Sequence, residues 1–219
     1  MNLVLGIETS MDPYQVVLGD NATLLFDSAR DCRCQPSRDM GCLLSCGLGL
    51  VGARISNIAL IAVNIGPGGL SSIRAGVSFA NALAFSLGIP VYPFNYFELV
   101  GHQASKITEL PVLCVLPAAG DSGYAGLVID GLIRITRFGP LPSVVASIAS
   151  GLTEVAVAGR FRDRVSLLLP GTKIFDTGIE KPDAKILLDM GHLAQKRGSP
   201  TASQASPLNE QAAMFYEQT

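Results

Sequence analysis

The chain has 219 residues, enough to bury one sizeable core or two compact ones without disulfides or metals as staples. Hydrophobic residues make up 48% and charged residues only 16%, with a mean hydropathy of +0.39, so apolar surface is either enclosed or covered by a partner. A net charge of −2 and a pI near 5.7 exclude binding to nucleic acid through bulk charge, and leave RNA contact to a partner.

In chain order, "LVLGIET" (3–9) reads as an apolar strand, without the basic start and full apolar region of a signal peptide. "YQVVLG" (14–19) and "ATLLFDS" (22–28) read as two more strands, with "MDP" and "GDN" as turns between them. A helix is expected over 36–52. "NIALIAVNI" (57–65) then has the unbroken apolar run of a central strand buried on both faces. The loop "GPGGLSS" follows, then a helix over 71–86 closed by Gly88, a strand at 90–94 and a helix at 95–104. The same order then repeats. Strands are expected at 110–118, 123–130 and 132–138, with Asp130-Gly131 as a hairpin turn. A helix at 142–150, a strand at 154–159, a helix at 160–169, a strand at 172–176 and a helix at 183–196 complete the second unit. Two successive βββαβα units predict a duplicated α/β fold with the layout of the actin-like, ribonuclease-H-like ATPase superfamily, in lobes 1–105 and 106–219. The stretch "SPTASQASPLNEQ" (199–211) reads as an extended terminus. No uncharged stretch reaches the roughly 18 apolar residues of a membrane span, so a cytoplasmic protein without membrane contact is expected.

ATPases of this superfamily hold phosphate with the hairpin after the first strand, where Asp-x-Gly lets backbone amides approach. The matching stretch, "IETSMDPYQ", offers Glu8, Thr9 and Ser10, but it has no glycine and Pro13 removes an amide donor. The second phosphate candidate is the loop of Gly66, Pro67 and Gly68, which feeds the positive end of a helix. It lacks the Lys-Ser/Thr ending of a P-loop. Arg74 in the first helical turn opposes the dipole, so it pairs either with a carboxylate such as Glu8 or with a bound phosphate. "GDSG" (120–123) resembles a serine-peptidase nucleophile loop, yet it lies between two strands, and the only histidines are His102 and His192. Cys32, Cys34, Cys42 and Cys46 have no zinc-knuckle spacing and read as packing thiols. Arg160, Arg162 and Arg164 read as a solvated face.

Helix 71–86 is thin, with Ala75, Gly76, Ala80, Ala82 and Ala84 between the bulkier Ile73, Val77, Leu83 and Phe85. "MGCLLSCGLGLVG" is likewise small and apolar over more than one face. A helix apolar all round must be covered all round, and small residues let another helix come close. The expectation is a helix-pair interface with another subunit, formed by Met40, Leu43, Leu44, Gly47, Ile73, Val77, Ala80, Asn81 and Ala84.

"LGIETS", followed by "NIGPGGLSSIRAGVSFANALAFSLGIPVY" in a short duplicated chain, resembles the TsaB (YeaZ) family. Gly66, Pro67, Gly68 and Arg74 stand where the family loop reads Gly-Pro-Gly-Ser-Phe-Thr-Gly-Leu-Arg, whereas residues 69–72 depart from it. The resemblance implies a non-catalytic paralogue that binds and supports the TsaD enzyme, which places threonylcarbamoyl on adenosine of tRNA. It further implies the ATPase TsaE as a member of the assembly, a homodimer when the chain is alone, and no cofactor except ATP or ADP at a partner interface. In the family the two first-lobe helices form the partner interface. Glu8 replaces the usual first-strand Asp, "CQPSRDM" stands for His-Ser-Glu, and "PAA" (117–119) for Asp-Ala-Arg. The alternative is an ATP-using enzyme acting alone, with Glu8, Gly66, Gly68 and Arg74 around the nucleotide; a peptidase using Ser122 is the third.

Overall fold

A computed structural model of the chain describes residues 2–20, 23–199 and 204–208. These fall into two compact units, Met1–Asn95 with Asp183–Pro207, and Tyr96–Pro182 with Leu208–Thr219.

The first unit contains β1 (Leu3–Glu8), β2 (Gln15–Asp20), β3 (Thr23–Asp27), α1 (Met40–Val51), β4 (Ile58–Asn64), α2 (Leu70–Leu87) and β5 (Val91–Phe94). The sheet order is β3-β2-β1-β4-β5, with β1 antiparallel to β2 and parallel to β4. All six residues of β1 are buried, so its two faces both need cover. On one face Leu3, Leu5 and Ile7 join Leu43 and Leu44 of α1 and Ile73 and Val77 of α2 in a single core. The chain's last helix, α6 (Lys185–Lys196), covers the other face. There Gly6 and Gly191 let backbones approach: a Cβ on Gly6 would lie 3.2 Å from Leu187 Cβ, and one on Gly191 3.1 Å from Ala62 Cβ.

α1 starts four residues later than the sequence suggests because Asp39 caps it, its Oδ1 accepting the Cys42 N–H at 3.0 Å. Gly52, at φ +66, ends it in the left-handed conformation that suits glycine.

The second unit repeats the plan with α3 (Tyr96–Ala104), β6 (Val112–Pro117), β7 (Ser122–Ile129), β8 (Leu132–Pro140), α4 (Leu141–Ile148), β9 (Glu154–Ala158), α5 (Arg162–Leu168) and β10 (Lys173–Asp176). Its order, β10-β9-β6-β7-β8, traces the same path as the first sheet. Val144, Val145 and Ile148 of α4 and Val165 of α5 pack with Leu113, Val115, Val155 and Val157. α3 lies on the opposite face, where the Phe97 ring meets Gly126 and Val128 meets Gly101.

The duplicated α/β fold is thus the one read from the sequence, but the units do not divide between 105 and 106. α3 belongs with the second sheet and α6 with the first. In each unit the two helices that follow the third and fourth strands cover one face only. The remaining face is covered by the helix that closes the other half of the sequence, an assignment that periodicity cannot contain. Of the 199–211 stretch, residues 200–203 and 209–211 lie outside the described residues, while Ala205 is 2% exposed. No described helix is long and apolar enough to cross a membrane.

The thiols follow this packing. Cys32 and Cys42 are exposed, Cys34 and Cys114 buried. Burial pushes the Cys34 thiol up to about 11, with its hydrogen bond to Cys46 adding to the rise, and raises Cys114 as well. Among the described residues no group of three His, Cys, Asp or Glu is arranged to hold a metal. Ellman's reagent is expected to titrate Cys32 and Cys42 rapidly in the folded protein, with Cys34 and Cys114 reacting only in denaturant; fast reaction of all five cysteines would contradict the packing. A Cβ on Gly47 would lie 2.5 Å from Phe26 Cδ1. Gly47→Val is therefore expected to cost about 1–3 kcal/mol in urea denaturation.

Candidate functional site

Neighbouring parallel strands end at the same edge of a sheet, which is where open α/β sheets hold their ligands. In the first unit β1 ends there at Glu8 and β4 at Asn64. The Glu8 carboxylate is 2% exposed. Its Oε1 accepts the Ser10 N–H at 2.7 Å and its Oε2 accepts the Asn64 Nδ2–H at 2.7 Å. Asn64 Oδ1 in turn accepts the Gly66 N–H at 2.8 Å. One buried acidic side chain therefore ties the first hairpin to the glycine loop through Asn64, each bond strengthened by burial.

The loop then closes on Ser10. Gly66 has φ +102, open to glycine and to few other residues. Gly68 lies flat on Ser10, where an added Cβ would be 2.8 Å from Ser10 Cβ and 2.9 Å from Ser10 O. The Gly69 N–H donates to Ser10 O at 3.2 Å, and one turn into α2 Gly76 packs directly on the Thr9 side chain. Gly66, Pro67 and Gly68 form a close-packing turn that seats α2 against β1.

This hairpin does not fit a nucleotide phosphate. The Ser10 amide, a donor such a phosphate needs, is taken by Glu8 Oε1. The hydroxyls of Thr9 and Ser10 are buried without a hydrogen-bond partner among the described residues, but Thr9 is pressed on Gly76 and Ser10 lies under Gly68. Asp12 is paired with Arg38. Arg74 is exposed on the first turn of α2 and has no ion pair among the described residues, so the pairing with Glu8 is not formed.

In the second unit, Gly120–Gly123 is the β6–β7 turn. Ser122 N–H donates to Ala119 O at 3.3 Å and Ser122 O accepts from Ala118 N–H at 2.9 Å, with no histidine on its hydroxyl among the described residues. The solvated reading of the arginines holds for Arg160 and Arg164 but not for Arg162, which is only 18% exposed and pairs with Asp176 at 3.0 Å and Glu180 at 3.2 Å.

The expected interface set is corrected by burial. Met40, Leu43, Leu44 and Gly47 of α1, and Ile73, Val77, Ala80 and Ala84 of α2, are buried in the unit's own core. Asn81 is half-buried and hydrogen-bonded to Ala205. The reason is geometric: 73, 77, 80 and 84 form one helical stripe, and that stripe faces the sheet. Apolar surface does remain on α2, on other residues. Phe85 is 92% exposed, Ala82 is exposed, and Ala75, Phe79 and Leu83 are half-buried. The signal for them was the aromatic at 85, one position past the inward stripe.

The family model described as "TsaD: tRNA N6-adenosine threonylcarbamoyltransferase" matches residues 43–136. A tRNA N6-adenosine threonylcarbamoyltransferase of Nitrosomonas eutropha is 28% identical over 213 residues, covering 88% of this chain and 56% of that protein. One of Ralstonia pickettii is 34% identical over 158 residues, covering 63% and 44%. The chain thus spans about half the length of these relatives. YeaZ from Pseudomonas aeruginosa superposes with a TM-score of 0.74 at 22% identity, covering 95% of this chain and 100% of that one. Over residues 43–136 the chain is thus similar in sequence to tRNA N6-adenosine threonylcarbamoyltransferases, and its fold is that of YeaZ.

Proposed function

We propose that the chain is a non-catalytic subunit that binds and supports a TsaD-type threonylcarbamoyltransferase in N6-threonylcarbamoyladenosine modification of tRNA. The observation that carries this reading is Phe85 on the outer side of α2, which stands 92% exposed. An aromatic at that exposure suits a partner that buries it. The strand-end edge supports the same reading from the other side. Glu8, Asn64 and the Ser10 amide hold one another, so they serve structure rather than substrate. tRNA is contacted through the enzyme, a TsaE-type ATPase joins the same cytoplasmic assembly, and two copies of the chain pair when the enzyme is absent.

Mixing the pure chain with a TsaD-type enzyme is expected to give a stable complex by light scattering. Phe85→Glu should weaken it 10-fold or more while leaving circular dichroism unchanged; failure of the unmodified proteins to associate would sink the proposal. Calorimetry with ATP and magnesium should show no heat for the chain alone, and micromolar binding there would favour the stand-alone ATP enzyme instead. Glu8→Ala should cost about 2–4 kcal/mol of stability, with partner affinity retained by the folded fraction.

A further inference from the structure

Asn81 grips a backbone. Its Nδ2–H donates to Ala205 O at 2.9 Å, and its Oδ1 accepts the Ala205 N–H at 2.9 Å. One carboxamide thus satisfies both main-chain groups of a single residue, as a neighbouring strand would. The Ala205 methyl, 2% exposed, enters the core that holds Met40, Leu43, Val77 and Ala80. Such a seat selects an extended backbone carrying a small side chain, and no charge takes part, since Gln204, Ala205, Ser206 and Pro207 have none.

We propose that Asn81 and the adjoining core rim form a peptide seat, filled in cis by Gln204–Pro207, and that this strap competes with the protein partner for α2. The second half of the proposal rests on the function proposed above. Among the described residues, two hydrogen bonds and the Ala205 methyl group hold the strap, with Pro207 half-buried, while Gln204 and Ser206 on either side of Ala205 are exposed. Against them stands the backbone freedom lost by each ordered residue, so the strap belongs to the low-stability end of the unit. Its seat shares α2 with Phe79, Leu83 and Phe85, and its release would add the Asn81 carboxamide and the apolar side chains under Ala205 to that surface. A partner that takes this surface would supply its own small-residue backbone to Asn81.

The test uses the full chain. Ala205→Arg ejects the strap, because a guanidinium cannot be buried there unpaired. A fluorescent peptide with the sequence of residues 199–211 should then bind Ala205→Arg at least 10-fold tighter than the unmodified chain, and the added Asn81→Ala change should abolish it. Absence of peptide binding by a folded Ala205→Arg protein overturns the seat. Hydrogen exchange of the unmodified chain needs no variant: the Ala205 amide should exchange well before the amides of β1, and equal protection of both would make the segment ordinary core. The TsaD-type enzyme should bind Ala205→Arg at least 5-fold tighter than the unmodified chain; equal or weaker binding overturns the competition. If the enzyme binds neither, the proposed function fails, while the peptide and exchange results still decide the seat.

Discussion

A single buried carboxylate organises the first unit. Glu8 stands at the end of a fully buried strand, where an unpaired charge would be untenable, and it is stabilised there by the Ser10 amide and the Asn64 carboxamide. Those two contacts fix more than the charge. The first folds the hairpin back on β1, and the second, through Asn64 and the Gly66 amide, sets the path of the glycine loop. The loop sets the start of α2, and α2 sets which side chains meet the sheet and which meet solvent. An interaction of three residues thereby decides the orientation of an 18-residue helix.

The same interaction explains why a motif shaped for phosphate serves another end. A glycine-rich loop before a helix offers amides and a dipole to any anion. Here the Gly66 amide goes to Asn64 and the Gly69 amide to Ser10 O, and Gly68 and Gly76 use their missing side chains to approach Ser10 and Thr9. Close packing and ligand binding make the same demand on sequence, a residue without a Cβ, and only the location of the donors separates them. The Ser10 amide points at a carboxylate of its own chain.

Much of the fold was legible. Every described strand and helix lies within a few residues of its expected place because each has a strong local cause: the unbroken apolar runs of β1 and β4, the Asp130-Gly131 turn, the glycines that end α1 and α2. What local causes do not encode is which sheet a helix covers: α3 follows the first sheet in sequence and packs on the second, and α6 the reverse. The candidate site was legible by type rather than by role. Glu8, Thr9, Ser10, Gly66 and Gly68 do come together, but as mutual partners. For the helices, small apolar residues on several faces implied contact all round; they could not say that the stripe 73-77-80-84 meets the sheet while Phe85 meets solvent.

That last distinction bears on how a slender helix acquires a partner surface at all. A helix of alanines and glycines lies close to its own sheet, and the closer it lies, the more its flanks come level with neighbouring chain. On α2 one flank carries the large aromatic left outside, and the position beside the inward stripe, Asn81, has a polar group aimed at a passing backbone. Ser, Pro and Ala carry no hydrophobic pattern, so the stretch reads only as an extended terminus. Ala205 is held nonetheless, since what Asn81 recognises is main chain, and main chain leaves no trace in composition. Thinness, which first suggested that another polypeptide grips these helices, therefore has two consequences within one unit: a core sealed by the chain itself, and a rim on which short segments can be exchanged.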